Sequence, residues 1–199
     1  MKRVLTFLFL GLLSLSVVFV SCKKDEETDD NTTPVVTNKM VFNGTTYALS
    51  NAYVFYYGKS NETPVSYNLD LVLSSSGFTY NEDSMDYVGT GDAIYFELFS
   101  NDSTKFTNGT YPMDTINAGF PFTFDYAEVL IGFNASTGAG SYEDLVSGSL
   151  VVATSGSNYV FTFTGKSKTG KDVTLSYTGG ITKTIDDSKS KGKTRTLAH

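Results

Sequence analysis

The sequence predicts an antiparallel all-β domain, either a β-sandwich or a flattened or closed barrel, with a lipocalin-like barrel as the alternative. Three observations predict it. Apolar and polar residues alternate with period 2 through much of residues 39–182, the pattern of strands with one face on a core and the other in water. The residues in these runs are largely β-branched or aromatic, in a chain holding 13 Tyr and 15 Phe. Turn residues punctuate the runs, and only 125–133 carries apolar residues at helical spacing.

Taken in order, the elements begin with a hairpin. Val41-Phe42 and Thr45-Thr46-Tyr47 flank Asn43-Gly44, a strong two-residue turn signal, and a strand extends over 46–57. Tyr67, Leu69, Leu71 and Leu73 alternate with Asn68, Asp70 and Val72, which predicts a strand over 65–74. A short strand over 77–80 precedes a carboxylate-rich loop, 81–92. Ile94, Phe96 and Leu98 alternate with Tyr95 and Glu97 in a strand over 93–99. A short strand is expected at 109–111. In 121–133, Tyr126, Val129, Leu130 and Phe133 would also suit a short helix, but Pro121, Phe122, Phe124 and Gly132 favour a strand. Strands over 147–154, 158–165 and 172–178 close the body as a meander, turning at Ser155-Gly156-Ser157-Asn158 and at 165–170.

Composition removes several function classes. The 199 residues include one Cys and one His, His199. That rules out a disulfide framework or a Cys-based zinc site, and leaves no basis for a His-dependent triad or multi-His metal site. The net charge of −6 argues against nucleic acid as a partner. No cofactor is expected. A body the size of 39–182 buries roughly 68–70% of its unfolded surface, so it needs no covalent staple.

The first residues read as an address. Lys2 and Arg3 precede an uncharged apolar run over 4–20, the layout of a secretory signal, with an uncleaved membrane anchor as the alternative. The only Cys follows that run. Phe19-Val20-Ser21-Cys22 resembles a bacterial lipobox, with Phe19 in place of the usual aliphatic residue. The resemblance implies cleavage between Ser21 and Cys22 and acylation of Cys22, which makes the membrane a partner through an N-terminal lipid. Each buried methylene contributes about 0.8 kcal/mol, and one chain alone holds only marginally, so two or three chains give a lasting anchor.

Residues 22–38 are polar and acidic and read as a disordered tether. Lys24-Asp25-Glu26 resembles the acidic export signal that follows the lipidated Cys in surface lipoproteins of the Bacteroidota. That implies the outer face of the outer membrane, with the periplasmic face as the alternative. Asn43-Gly44-Thr45-Thr46-Tyr47, Asn108-Gly109-Thr110-Tyr111 and Gly148-Ser149-Leu150-Val151-Val152 resemble a β-rich module of the same lipoproteins, covering most of 39–182. These are turn glycines and core aromatics, so the resemblance implies a fold and not a chemistry.

Four features could carry chemistry. Asp83, Asp86 and Asp92 in the 81–92 loop could offer oxygen ligands to calcium, although the spacing is not that of an EF-hand and a solvated acidic loop explains them. Glu97, Asp125 and Glu128 are acids embedded in apolar strands. Glycoside hydrolysis needs two facing carboxyls, whereas Glu97 on the non-core face is expected to be exposed. Tyr53, Phe55 and Tyr57 share one strand face and Tyr56 takes the other, so one face is core and the other core packing or a ligand surface. Asp83-Ser84-Met85, Asp102-Ser103-Thr104 and Asp114-Thr115-Ile116 match a short O-glycan acceptor pattern that also arises by chance. The tail over 183–199, with Lys183, Lys189, Lys191, Lys193 and Arg195, reads as a solvated end. The leading functional expectation is a non-enzymatic surface domain that either binds an unknown protein or glycan or serves as a structural accessory. The alternatives are a carrier of a small apolar ligand and a carboxylate-dependent glycoside hydrolase.

Overall fold

The computed structural model describes residues 37–60, 63–116 and 118–187. They fall within 35–199, the second of the two compact units into which the chain divides. Twelve strands and no helix occupy the described residues: β1 (Lys39–Phe42), β2 (Thr45–Ala48), β3 (Asn51–Lys59), β4 (Tyr67–Ser74), β5 (Phe78–Asn81), β6 (Asp86–Ser100), β7 (Gly109–Pro112), β8 (Thr123–Asn134), β9 (Ser141–Ser155), β10 (Asn158–Ser167), β11 (Asp172–Gly179) and β12 (Lys183–Asp186). They pair in the order β12-β3-β4-β6-β8-β9-β10-β11-β1-β2, with β5 on β6 and β7 on β9. The sheet curls into a half-barrel whose path ends at β12 and β2. β12 runs parallel to β3; the other strand pairings are antiparallel.

Local chemistry explains the layout. The β1–β2 turn needs two left-handed residues, and Asn43 (φ 50°) and Gly44 (φ 80°) supply them. β9 pairs with β8 through Ser141–Asp144 and with β10 through Leu145–Ser155, so one strand carries the sheet around its corner. The meander of β9, β10 and β11 matches the expected turns.

The concave face holds the main core, built from the alternating apolar positions of the long strands. Phe96, Phe124 and Phe163 meet edge to face with centroids 5.1–6.0 Å apart, joining β6, β8 and β10 across the interior. Phe163 fits because Gly148 and Gly165 face each other across β9 and β10. A Cβ at either glycine would stand 2.4 Å from a Phe163 ring atom, and Gly148 also sits at φ 148°.

The convex face of β3, β4, β6 and β8 is also covered. Phe78 stacks on Tyr87 at 4.9 Å, and Tyr87 and Tyr80 pack on Tyr53 and Phe55. Val72, Ala93, Tyr95, Leu130 and Phe133 complete this second core, with Ile185 of β12 against it.

Four expectations change. Residues 81–92 are not a loop: they span the end of β5, a tight turn and the first half of β6. Gly91 lies so close to the β4–β5 turn that a Cβ there would stand 2.2 Å from Ser75 Oγ. The strand expected over 46–57 breaks at Leu49-Ser50, where Leu49 N–H donates to Asn38 O and Ser50 N–H to Ser74 O. β9 starts at Ser141 rather than 147, and Lys183–Asp186 joins the sheet as β12. Replacing Phe163 with Ala should cost about 3–5 kcal/mol in denaturant unfolding. Gly148→Ala should cost about 1–3 kcal/mol through overpacking against the same ring.

Candidate functional site

The convex face carries a polar row beside its aromatic core. Register sets it out: Asp70 on β4 lies opposite Glu97 on β6, and Glu97 opposite Tyr126 on β8. One step along, Val72, Tyr95, Glu128 and Asp144 follow one another across β4, β6, β8 and β9. Irregularities in pairing fall at two points of this row. The β3–β4 register shifts between Tyr56 and Gly58, leaving Tyr57 as the extra residue, and the β6–β8 register shifts at Glu97/Leu98, leaving Asp125 as the extra residue. Bulges of this kind re-aim side chains.

Asp70 is only 2% exposed, and Tyr95 only 1%. The Tyr95 and Tyr57 hydroxyls lie close enough to Asp70 to lower its pKa, yet Asp70 Oδ1 and the Tyr95 hydroxyl complete no hydrogen bond of ordinary geometry. Burial, and then the charge of Glu97, nevertheless hold the Asp70 carboxyl well above the carboxylate range. Asp125 is pushed up to about 7, first by burial and then by Glu97. Burial also raises Glu97, against a 2.8 Å hydrogen bond donated by Asn68 Nδ2. Tyr126 donates to Glu128 Oε2 at 3.2 Å and Asp144 Oδ1 at 3.3 Å, and burial with these two charges raises its own pKa. Among the described residues, none of Asp70, Glu97 and Asp125 forms an ion pair.

A second feature is a cleft of about 190 Å³ lined by Phe42, Tyr47, Ile131, Tyr142, Glu143 and Lys171 among others. Its charges are already satisfied. Lys171 Nζ lies 2.6 Å from Glu143 Oε2 and 5.1 Å above the Phe42 ring. Against burial, which alone would raise it, hydrogen bonds from Lys171, Ser167 and Thr169 hold the Glu143 carboxyl down at about 2. The polar row, in contrast, has raised carboxyls and no ion-pair partner for Asp70, Glu97 or Asp125 among the described residues.

No family model, curated protein or solved structure matches the chain. What the site does must therefore be read from its own residues.

The structure redistributes the residues singled out from sequence. Tyr53 and Phe55 are buried in the second core and Tyr56 packs against the main one, so this strand presents no open aromatic platform; Tyr57 alone lies at the polar row. The Tyr56 hydroxyl donates to Thr104 O. Asp83, Asp86 and Asp92 do not converge. Asp86 and Asp92 stand six residues apart on one strand, roughly 20 Å along it. Asp86 Oδ1 accepts from Tyr87 N–H and Asp92 Oδ1 from Gly132 N–H, each at 2.8 Å. Among the described residues, no three carboxylates, histidines or cysteines gather to hold a metal ion. Glu97, expected in water, is half-buried because its outward face is part of the second packed layer. Ser84, Ser103 and Thr115 are exposed, while Asp114 is buried and its carboxylate caps Ile116, Ala118 and Gly119 N–H groups. Lys183 pairs with Glu82. Ser21, Cys22, Lys24, Asp25 and Glu26, with Lys189, Lys191, Lys193 and Arg195, lie outside the described residues.

Asp70 was missed from sequence. The usable signal was a lone acid in Leu69–Leu73, where both strand faces read apolar.

Raised carboxyl pKa values mean that the folded protein keeps protons the unfolded chain releases. The contribution of Asp125 to stability therefore falls as pH rises from about 4 through 7. Asp125→Asn, which mimics the protonated form, should gain in Tm relative to the parent as pH goes from 4.5 to 8. A melting series across that range measures it; a constant offset would contradict the assignment.

Proposed function

We propose that the chain is a lipid-anchored envelope protein whose β domain binds rather than catalyses, with the convex polar row as its binding face. The observation that carries the binding part is the contrast between the two faces of one sheet. The concave side is filled by Phe96, Phe124, Phe161, Phe163 and Tyr111, all 2% exposed or less. The convex side holds half-buried Glu97, Asp125, Tyr57 and Tyr126 over the buried Asp70, without a paired cation among the described residues. The space that a carrier of apolar molecules would keep open is occupied by aromatic rings, which speaks against the carrier reading.

Support for the anchor comes from the sequence: the apolar run over 4–20, the lipobox-like Phe19-Val20-Ser21-Cys22 and the Lys24-Asp25-Glu26 that follows. With two or more acyl chains on Cys22, the domain would sit on the outer membrane, facing outward, at the end of a polar tether.

One observation favours hydrolysis as a second reading. Asp125 at about 7 beside Glu97 has the poise of a general acid near neutral pH. Two experiments separate the readings. The native protein should partition with outer membranes and be degraded when intact cells are treated with protease, and Cys22→Ala should abolish acyl incorporation. Full protection from protease would refute the outward orientation. Purified domain should release no more reducing ends from a panel of glycans than the Glu97→Gln/Asp125→Asn double variant does; release that depends on Asp125 would replace binding by catalysis.

A further inference from the structure

We propose that the cleft beside β2, where the concave interior stays open, binds one neutral pyranose ring at a site separate from the convex row. Register places its walls. Val129 lies opposite Glu143 and Ile131 opposite Ser141 across β8 and β9, so these side chains share the concave face, where Val129 belongs to the main core. On the other wall, Phe42 lies two residues beyond the core residue Met40 on β1, and Tyr47 lies opposite Met40 on β2. Both rings therefore share the concave face as well. β1 and β2 close the sheet path, and about 190 Å³ stays open between this hairpin and the β8–β9 wall. The mouth of a barrel is a common place for a small-molecule site.

Size and lining select the ligand. Sites for drug-sized molecules enclose roughly 300–1,000 Å³, so this cleft admits one small ring and not a long apolar tail. Phe42, Tyr47, Val129 and Ile131 give it apolar walls, and Glu143 with Lys171 gives it a polar edge. That edge is held in place: Glu143 Oε1 accepts from Thr169 N–H at 3.0 Å, and Oε2 from Lys171 Nζ at 2.6 Å. An ammonium carries three N–H donors, and Lys171 gives one to Glu143, so others can serve a ligand. As a pair the two charges cancel. A carboxylate in the cleft would meet Glu143, and an amine would meet Lys171. A wholly apolar ring would cover both charges and return nothing for the water they lose. A pyranose answers both parts of the lining. Its C–H face lies on the apolar wall, and its neighbouring hydroxyls, each donor and acceptor, bridge the Glu143 carboxylate and the Lys171 ammonium.

Ligand-observed NMR titration of the full-length protein with the methyl glycosides of glucose, galactose and mannose tests this. At least one should bind saturably below about 100 mM, weakened about fivefold or more by Tyr47→Ala and by Lys171→Met. Lys183→Met, which removes a paired lysine on β12 at the far end of the sheet path, should bind as the parent does. Cyclohexanol and sodium hexanoate should bind more weakly than the best glycoside. The inference is overturned if no glycoside saturates, if both cleft variants bind as well as the parent, or if cyclohexanol or hexanoate binds more tightly. Circular dichroism and Tm of each variant exclude loss of fold as the cause of weakened binding, and Lys171→Met tests the polar edge without touching the core. Failure here removes the cleft site alone; the convex row and the Cys22 anchor have their own experiments.

Discussion

The whole arrangement depends on burying both faces of one four-stranded stretch, β3-β4-β6-β8. Most antiparallel sheets leave one face to water. Here the concave face receives the phenylalanine cluster of β6, β8 and β10, and the convex face receives rings from β5 and the first half of β6. β4 records the consequence directly, with every residue from Leu69 to Ser74 buried. An acid in the middle of that run has nowhere to go. Asp70 is kept among aromatic rings, and burial raises its pKa because an ionised carboxylate is costly to remove from water.

The polar row is thus maintained against a free-energy gradient. Removing its charges should relieve repulsion, and the interlocked rings on either side of the sheet supply the stability that tolerates them. Residues that lower stability without an answering structural gain mark functional positions more often than structural ones. The Glu143–Lys171 pair makes the comparison within the same molecule. It lines a cleft, each charge has its partner, and the carboxyl is held at about 2, as in an ordinary structural ion pair. Carboxyls in one domain therefore have opposite electrostatic signatures, raised in the row and lowered at Glu143.

Much of the fold was legible because the physics behind it is local. Alternation over Ile94–Leu98 and Tyr159–Phe163, and the Asn43-Gly44 turn, each encode their structure within a few residues. The 125–133 ambiguity also resolved to strand, since Phe124, Ala127 and Val129 feed the concave core while Tyr126 and Leu130 face outward. What escaped was non-local. Gly89 and Gly91 read as loop punctuation, yet they serve close approach of the β4–β5 turn to β6. β12 offers a single apolar side chain, Ile185, and is a strand because β3 lends it an edge. Alternation assigned Glu97 correctly to the non-core face but could not reveal that a hairpin covers part of that face. The row itself was invisible because its members come from β3, β4, β6 and β8, aligned by two bulges that no window of sequence displays.

That same alignment bears on whether the row is a by-product of folding. A domain needing only to hold its sheet together could place Val or Leu at 70, 97 and 125, and hydrophobic replacement of buried charges is often neutral or stabilising. Nothing in the packing demands acids at these positions, because the neighbouring convex sites Val72, Ala93 and Leu130 are filled by apolar residues. Bulges at Tyr57 and Asp125 disturb the β3–β4 and β6–β8 ladders, the second of which also shifts between Gly91 and Ala93. Disturbance of that kind lowers the pairing energy of a sheet, and this sheet bears it at both ends of one row of raised carboxyls.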